Sequence, residues 1–240
     1  MRRARPLLGT LVEIGVPQGT GADAALQAAF AGVQRVQSCM SRFEPDSDVA
    51  RFAALPAGAS MQVAPETAAV LQAACALQRD SGGLFDITQG RAPDGWCCDG
   101  RSLHKRAAAA SFDLGGIAKG YAVDCAVQAL QRLGCAAGWV NAGGDLRAFG
   151  AVQLPVLLRD EDGGGLRPFV ELGDAAFATS HFGARRRSQI WAAGGRGVAA
   201  HVSVAAPSCL WADALTKVVA ASGDARHPLL LAHGARAWLH

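Results

Sequence analysis

The sequence predicts one α+β domain, a mostly antiparallel sheet with flanking helices, that spans residues 1–240. Two observations favour this class. Several amphipathic runs with helical spacing are separated by glycine-rich turns, and the second half of the chain carries short strand patterns in succession. Strands that follow one another through short turns pair in antiparallel fashion, whereas parallel strands need a crossover helix between them. No internal repeat and no linker divides the sequence, so we expect a single domain.

The first half of the chain combines strand, helix and loop patterns. Leu8, Thr10 and Val12 begin an alternation with a period of two, which is typical of a strand. Apolar residues then recur every three or four positions on one helical face, and Pro65 is well placed to begin a second helix. The predicted elements are a strand at 8–16, a helix at 26–40, a polar loop at 41–48, a helix at 65–81 and a loop without periodicity at 91–105.

The second half begins with another amphipathic run. Val123, Val127 and Leu130 share one helical face, and Gly134 stands where a helix C-terminus favours glycine. Turn residues such as the three glycines at 163–165 separate the short apolar segments that follow. The predicted elements are a helix at 117–133, strands at 138–141, 153–158, 167–172, 175–180 and 198–206, a helix at 208–223, a short helix at 227–233 and a final strand ending at 240.

The charge of the chain argues against some classes of partner. The net charge is +3 and charged residues make up 18% of the sequence, which does not provide the basic stripe of a nucleic-acid surface. We interpret the basic cluster Arg185, Arg186 and Arg187 as a solvated loop, with a contact to a substrate phosphate as the alternative. No stretch is long and apolar enough to span a membrane.

The termini and the cysteines bear on the compartment. We expect a cytoplasmic protein, or a mature form whose leader has been removed, because the sequence shows no signal peptide and no N-terminal cysteine to receive a lipid. The seven cysteines are expected to be reduced free thiols. Cys97 and Cys98 with His104 lack the spacing of a zinc site.

The most informative stretch is 113–124 (DLGGIAKGYAVD), in which an acid and two glycines precede an amphipathic helix. Exposed amides and the helix dipole make a helix N-terminus receptive to phosphate, and Lys119 adds a positive charge one turn in. Asp113 could cap the helix, accept a hydrogen bond from a ligand, or help to hold a cation. The run is neither a Walker loop nor a GxGxxG fingerprint, and a plain glycine-rich turn before a core helix is the alternative.

Two further features could surround the same ligand. A predicted strand leads into Gly143 and Gly144 followed by Asp145, a second glycine pair at which a ligand can approach the backbone. Phe43 lies in the polar loop, where an exposed aromatic ring would suit stacking on a planar ligand.

Taken in order, these segments resemble the FAD:protein FMN transferase (ApbE) family over nearly the whole chain. The matching segments are 6–10 (PLLGT), 40–43 (MSRF) with 45–47 (PDS), 85–88 (FDIT), 113–124, 141–145 (NAGGD), 178–180 (ATS), and 206–208 (APS) with 212–215 (ADAL). The run at 113–124 is the most specific of them. The resemblance implies an ApbE-like α+β fold and a flavin site.

The resemblance also implies a reaction, in which FMN passes from FAD to a Thr or Ser hydroxyl of an acceptor flavoprotein and AMP leaves. Such a transfer needs neutralised phosphate charge and an oriented hydroxyl. The residues that the resemblance places against FAD are Leu8, Phe43, Trp96, Asp113, Gly115, Gly116, Lys119, Gly143, Gly144, Thr179 and Ser180. It further implies a Mg²⁺ ion held by the carbonyl of Gly116, by Asp213 and by a threonine four residues later, for which Thr216 is the nearest candidate.

The chain departs from the family pattern at this metal site. Lys217, and not a threonine, stands four residues after Asp213, and Thr216 is only three residues after it. Since a residue at +4 shares a helical face with Asp213 more closely than one at +3, we expect Thr216 not to reach the ion in the usual way. The ammonium of Lys217 could take the place of the cation, a hypothesis that we favour over a surface ion pair with no further role.

A second departure concerns the family segment His-Ile-Ile-Asp-Pro-x-Thr-Gly, in whose place residues 188–195 read SQIWAAGG. His181 or His201 could supply a replacement base near pH 7, and a structural histidine is the alternative for each. The candidate catalytic residues are therefore Asp213, Lys217 and His181. We expect a working transferase; a flavin-binding homologue without the chemistry and an FAD pyrophosphate hydrolase are the alternatives.

Overall fold

The computed structural model describes residues 1–159, 164–182 and 201–240. The strands in these ranges are β1 (Arg2–Leu7), β2 (Thr10–Gly15), β3 (Ser60–Gln62), β4 (Trp96–Asp99), β5 (Ser102–Lys105), β6 (Gly138–Ala142), β7 (Asp145–Phe149), β8 (Leu154–Arg159), β9 (Leu166–Leu172), β10 (Ala176–His181), β11 (His201–Ala206) and β12 (Arg236–Leu239). The helices are α1 (Ala22–Met40), α2 (Asp48–Ala54), α3 (Pro65–Asp80), α4 (Ala118–Arg132), α5 (Cys209–Ser222) and α6 (Pro228–Ala232). None of these helices is long and apolar enough to cross a membrane.

Seven strands form the main sheet, in the order β1-β2-β6-β7-β10-β11-β12. Every neighbouring pair in this sheet is antiparallel. Strands β3, β5 and β4 make a small separate sheet, and β8 and β9 form a two-stranded hairpin. The predicted α+β class with a mostly antiparallel sheet is confirmed.

The two faces of the main sheet are covered differently. Helices α1, α4 and α5 bury one face in the larger apolar core, which includes Ala176 and Ala178 of β10. Phe177, which points the other way because side chains alternate along a strand, lies in a smaller core with the β8–β9 hairpin. Helices α4 and α5 pack directly against each other. This contact brings the segment at 113–124 close to Asp213.

The opening strand differs from the prediction. Strands β1 and β2 form a hairpin whose two-residue turn is Leu8 and Gly9, with φ angles of 55° and 70°. Two left-handed residues give such a turn the twist that fits a hairpin. The prediction that Leu8 lies within a strand is therefore wrong, because the apolar alternation runs on through a turn position.

The first half also contains elements that were not predicted, namely helix α2 and strands β3, β4 and β5. The polar loop leads into α2, where the Ser47 side chain accepts a hydrogen bond of 3.0 Å from the amide of Ala50 and caps the helix. The loop predicted at 91–105 is wrong, since β4 and β5 form a hairpin there. The pattern was obscured by Lys105, an inward-facing charge whose ammonium donates to the carbonyls of Phe52 and Ala53 at 3.1 and 2.8 Å.

The remaining predicted elements are confirmed within a few residues, and the strand predicted at 198–206 is described from 201 onward. Strand β7, which follows the second glycine pair, was not predicted as a separate strand. All seven cysteines are unpaired, as expected.

Candidate functional site

The segment before α4 is held by its own hydrogen bonds. The Asp113 amide donates to the carbonyl of Ile87 at 2.8 Å, and a carboxylate oxygen of Asp113 accepts from the Gly115 amide at 3.0 Å. The amides of Ile117 and Ala118 both donate to the carbonyl of Leu114. Ile117 stands at the N-cap of α4 without a side-chain bond, so Asp113 does not cap this helix. The amides of Gly115, Ile117 and Ala118, which the sequence suggested for a phosphate, are thus already bonded within the protein.

A turn at residues 86–90 holds the side chain of Asp113 in place, a role that the sequence did not predict. The buried carboxylate of Asp86 accepts hydrogen bonds of 2.7 Å from the amides of Thr88 and Gly90. This turn holds Gln89 in a left-handed conformation with φ of 53°. The Gln89 side chain then donates to the second carboxylate oxygen of Asp113 at 2.8 Å. Asp113 is therefore fixed in orientation before any ligand binds.

A first cavity, of about 440 Å³, lies beside this segment. Its lining includes Leu8, Gly9, Met40, Phe43, Phe112, Asp113, Gly115 and Lys119. The Phe43 side chain is 82% exposed at the rim, as predicted for a stacking residue. The Arg42 guanidinium lies over its ring at 4.9 Å, and an Nη1–Oδ2 distance of 3.7 Å joins Arg42 to Asp113.

Trp96 does not line this cavity. Its side chain is buried and meets the ring of Phe112 edge-on, with the ring centroids 4.9 Å apart. Phe112 in turn is stacked on Phe52 at 4.3 Å. Trp96 can therefore influence a ligand by holding Phe112, and direct contact with FAD stays a prediction.

A second cavity, of about 720 Å³, lies on the other side of Lys119, between the main sheet and the β8–β9 hairpin. Its lining includes Thr10, Gly143, Gly144, Val156, Leu157, Arg159, Leu166, Thr179, His181 and His201. Gly143 has a φ of 64°, and a Cβ there would lie 2.4 Å from Oγ1 of Thr10, so only glycine fits. Leu8, Gly9 and Lys119 border both cavities.

Two ion pairs involve Lys119, which borders both cavities, and the buried residues Asp145, Asp213 and Lys217. The ammonium of Lys119 pairs with the carboxylate of Asp145, and the ammonium of Lys217 pairs with that of Asp213. Asp213 is fully buried, and its second oxygen accepts a 3.3 Å hydrogen bond from the amide of Gly120. The surface ion pair considered for Lys217 is therefore excluded, because both partners lie in the interior.

The charges of this cluster shift its pKa values in opposite directions. Burial raises the pKa of Asp145, the nearby charge of Asp213 adds to this, and the charges of Lys119 and Lys217 offset only part of the rise. Burial alone would also raise the pKa of Asp213, but the charges of Lys217 and Lys119 outweigh burial and lower it. The pKa of Lys119 is raised, since Asp145 and Asp213 outweigh its own burial.

Ser180 and Thr216 complete the surroundings of Asp213. The Thr216 hydroxyl donates to the main-chain carbonyl of Asp213 at 2.7 Å, and it lies 2.9 Å from the hydroxyl of Ser180. Thr216 therefore contacts the backbone of Asp213, and no bond to its carboxylate is present. Ser180 faces this buried cluster and not the cavity, whereas Thr179, its neighbour, lines the second cavity and lies 2.9 Å from the hydroxyl of Ser203.

Asp124 joins α4 to α5, a role that sequence reasoning did not assign. Its two carboxylate oxygens accept hydrogen bonds of 2.9 Å from the amides of Cys209 and Leu210, the first residues of α5. Arg147 of β7 pairs with the same carboxylate. An acid at a helix N-terminus satisfies free amides and complements the helix dipole. This contact places the start of α5, and hence Asp213, relative to α4.

The predicted base His181 lies at the end of β10, in the wall of the second cavity. Its Nδ1 atom is buried and has no hydrogen-bond partner among the described residues. Its ring stands 5.6 Å from that of His201, its cross-strand neighbour. The arginine cluster at 185–187 and the divergent segment at 188–195 lie outside the described residues.

The protein is thus an antiparallel α+β domain in which two cavities meet at Lys119, a lysine of α4. The chain belongs to the ApbE family, whose family model matches residues 8–105 and 96–238.

Solved structures show the same fold. The flavin transferase ApbE from Vibrio cholerae is 21% identical with a TM-score of 0.84, and the match covers 100% of this chain and 92% of that one. The flavinyl transferase ApbE from Pseudomonas stutzeri is 23% identical with a TM-score of 0.83, over 99% and 89% of the two chains. The ApbE protein from Thermotoga maritima is 24% identical, also with a TM-score of 0.83, over 100% and 93%. A search of curated proteins finds no match.

Proposed function

We propose that this protein transfers FMN from FAD to a Thr or Ser hydroxyl of an acceptor protein and releases AMP. The observation that carries this proposal is the position of Lys119, whose side chain borders two cavities with different linings. Membership of the ApbE family and likeness to structures titled as flavin transferases support it. A transfer between two bulky substrates needs two adjoining sites with a positive charge at their junction.

The first cavity suits the flavin half of FAD. The exposed ring of Phe43 offers a stacking face for the isoalloxazine, and aromatic pairs of this kind add about 0.5–1.5 kcal/mol beyond buried area. Asp113 offers a fixed acceptor for a flavin N–H or a ribityl hydroxyl, since Gln89 and the Gly115 amide hold its carboxylate in place. Leu8 and Gly9, in the tight turn between β1 and β2, form the opposite wall.

The diphosphate would lie at Lys119. An ammonium has three N–H donors, and Asp145 accepts from one of them, so Lys119 can still donate to phosphate oxygens. Its side chain is 34% exposed, whereas its partner Asp145 is buried. Asp145 therefore orients the ammonium toward the cavities. A positive charge fixed beside a phosphoryl group stabilises the charge that develops during transfer.

The acceptor hydroxyl would enter from the second cavity. Its oxygen attacks the phosphorus of the FMN half, a new O–P bond forms, and the P–O bond of the diphosphate breaks. AMP leaves with the bridging oxygen and its electron pair. His181, in the cavity wall, takes the hydroxyl proton as general base. Gly143 and Gly144 let an acceptor backbone approach the sheet closely.

The test is to incubate the protein with FAD and three matched peptides that carry Thr, Ser or Ala at one position. We expect the Thr or Ser peptide to gain the mass of one FMN with one AMP released per modified peptide, and the Ala peptide to stay unmodified. AMP without modified peptide would indicate an FAD pyrophosphate hydrolase. Bound, intact FAD with neither product would indicate a binding protein and would contradict the proposal.

A matched pair of variants tests the flavin site. Phe43→Ala removes a ring that is 82% exposed, so folding stability should change by less than about 0.5 kcal/mol while the Kd for FAD rises. Leu231→Ala, at a similarly exposed leucine of α6, is the control and should leave FAD binding unchanged. Equal FAD affinity in both variants, measured by flavin fluorescence, would exclude stacking on Phe43.

A further inference from the structure

The residues around Asp213 do not fit the Mg²⁺ ion that the family resemblance implies. The resemblance assigns three protein ligands to such an ion, namely the carbonyl of Gly116, the carboxylate of Asp213 and a threonine hydroxyl. In this chain the same carboxylate is bonded to the ammonium of Lys217.

All three N–H donors of the Lys217 ammonium are bonded to oxygen atoms of the protein. It donates to Oδ1 of Asp213, to the main-chain carbonyl of Asp213 at 3.1 Å and to the hydroxyl of Ser180 at 3.1 Å. These three acceptors account for all three N–H donors of a lysine side chain. Lys217 is only 7% exposed, so its charge is held in one place and not shared with solvent.

The stem of Lys217 occupies the space beside Gly116. A Cβ added to Gly116 would lie 2.9 Å from Cε and 3.4 Å from Cδ of Lys217. The stem of the lysine thus lies beside the backbone of Gly116, and its ammonium is bonded to the carboxylate of Asp213. Any side chain at Gly116 would force it away.

Thr216, the third metal ligand that the resemblance implies, makes its hydrogen bonds to other groups. The hydroxyl of Thr216 donates its proton to the main-chain carbonyl of Asp213 and lies beside Ser180. That Thr216, at +3, does not reach an ion in the way of a threonine at +4 stays a prediction.

The charges of the cluster balance without a metal. Lys119 and Lys217 face Asp145 and Asp213, two positive charges against two negative ones. A divalent cation on Asp213 would meet the ammonium of Lys217 within hydrogen-bond distance of the same oxygen, and like charges at that separation repel strongly.

We propose that Lys217 is a built-in cation that replaces the divalent metal at Asp213, so that this protein binds FAD without Mg²⁺. Lys217 is a positioning residue in this role: it holds Asp213 and supplies a fixed positive charge behind the diphosphate site. The inference rests on the proposed function only in naming FAD as the ligand.

Two measurements on the unaltered protein test the inference. FAD titration followed by flavin fluorescence should give the same Kd in EDTA and in excess Mg²⁺, and Mn²⁺ titration followed by electron paramagnetic resonance should show no bound ion, with or without FAD. FAD binding that is lost in EDTA, or one bound Mn²⁺ per chain, would overturn it. If FAD does not bind under any condition, the proposed function fails, and the Mn²⁺ titration alone decides the inference.

Lys217→Thr restores the residue type that the family pattern has at this position. We expect this variant to bind Mn²⁺, to unfold at a higher temperature when Mg²⁺ is present, and to bind FAD at least about tenfold more tightly with Mg²⁺ than with EDTA, which corresponds to about 1.4 kcal/mol. A folded Lys217→Thr protein without any metal response would contradict the inference. Lys105→Thr is the matched control, since Lys105 is also buried but is bonded to carbonyls far from Asp213, and it should show no response to metal.

Discussion

Gly120 is where α4 and α5 come closest, and Gly120→Ala should separate them. A Cβ at this position would lie 2.2 Å from the carbonyl oxygen of Cys209, 2.6 Å from its carbon and 2.9 Å from the amide nitrogen of Leu210. All three are backbone atoms at the start of α5, so no side chain can rotate out of the way. The helices must move apart by about 1 Å before ordinary contact at 3.4 Å is restored.

The change in the free energy of unfolding of Gly120→Ala is the sum of destabilising and stabilising contributions. Overpacking of this kind costs about 1–3 kcal/mol, and the hydrogen bond from the Gly120 amide to Asp213 would be lost at a further cost of about 1 kcal/mol. Alanine is preferred over glycine in a helix by about 1 kcal/mol, which offsets part of this. We expect a net loss of about 2 kcal/mol in the free energy of unfolding. For a chain of this size, that is a fall in Tm of about 4–8 °C.

Urea unfolding of Gly120→Ala and of a control, Gly32→Ala, checks this reasoning. Gly32 lies within α1 and faces α4, but a Cβ there would be no closer than 3.7 Å to any atom, which is ordinary contact. Gly32→Ala should therefore leave stability unchanged or raise it by up to about 1 kcal/mol. A Gly120→Ala protein as stable as the unaltered one, or equal losses of free energy in both variants, would contradict a backbone clash at Gly120.

Two other changes probe buried charge and pH. Asp124→Asn should lower the free energy of unfolding by about 3 kcal/mol, because it leaves Arg147 unpaired and removes an acceptor from the N-terminus of α5. Asp23→Asn is the control: the Asp23 side chain is 70% exposed and lies 3.6 Å from Arg3, so the free energy of unfolding should change by less than about 0.5 kcal/mol. Equal losses of stability in the two variants, measured by urea unfolding, would contradict the expected cost of leaving Arg147 unpaired. Burial raises the pKa of the Cys125 thiol from 9.0 to about 11, so the stability that this thiol contributes is complete below pH 9 and is lost as the pH rises to 11. The difference in stability between the unaltered protein and Cys125→Ala should change over that range, and a constant difference would contradict the shift.

Much of the fold could be predicted, because periodic patterns report on local structure. Helices α1, α3, α4 and α5 carry continuous apolar faces, and the predicted bounds are close to the observed ones. The β4–β5 hairpin was missed because Lys105 faces inward there, and its charge is tolerated only through the carbonyls of α2 that it meets. Its partners lie more than 50 positions away in the chain, beyond the reach of any local pattern.

In the candidate site, too, features set by local sequence could be predicted, whereas those that depend on tertiary contacts could not. The exposed ring of Phe43 could be predicted, since a polar loop leaves an aromatic residue without a core to join. The role of Gln89 could not, because it depends on a left-handed turn built around Asp86. The idea that free amides before α4 would cradle a phosphate was weakened by the structure, in which Asp113 takes up the amide of Gly115.

Three features could be read from the residues alone: the order of the helices, the glycine pairs that allow close approach, and the replacement of a threonine by Lys217. Tertiary structure alone decided which charges meet: Lys119 with Asp145, 26 positions apart, and Asp124 with the start of α5, 85 positions apart. The physical reason is that propensity and periodicity act over a few residues, whereas the partner of a buried charge is set by how strands pair and helices pack. Lys217 is the clearest case, since i,i+4 spacing suggested its pairing with Asp213, and only packing against Gly116 and Ser180 made that pair buried.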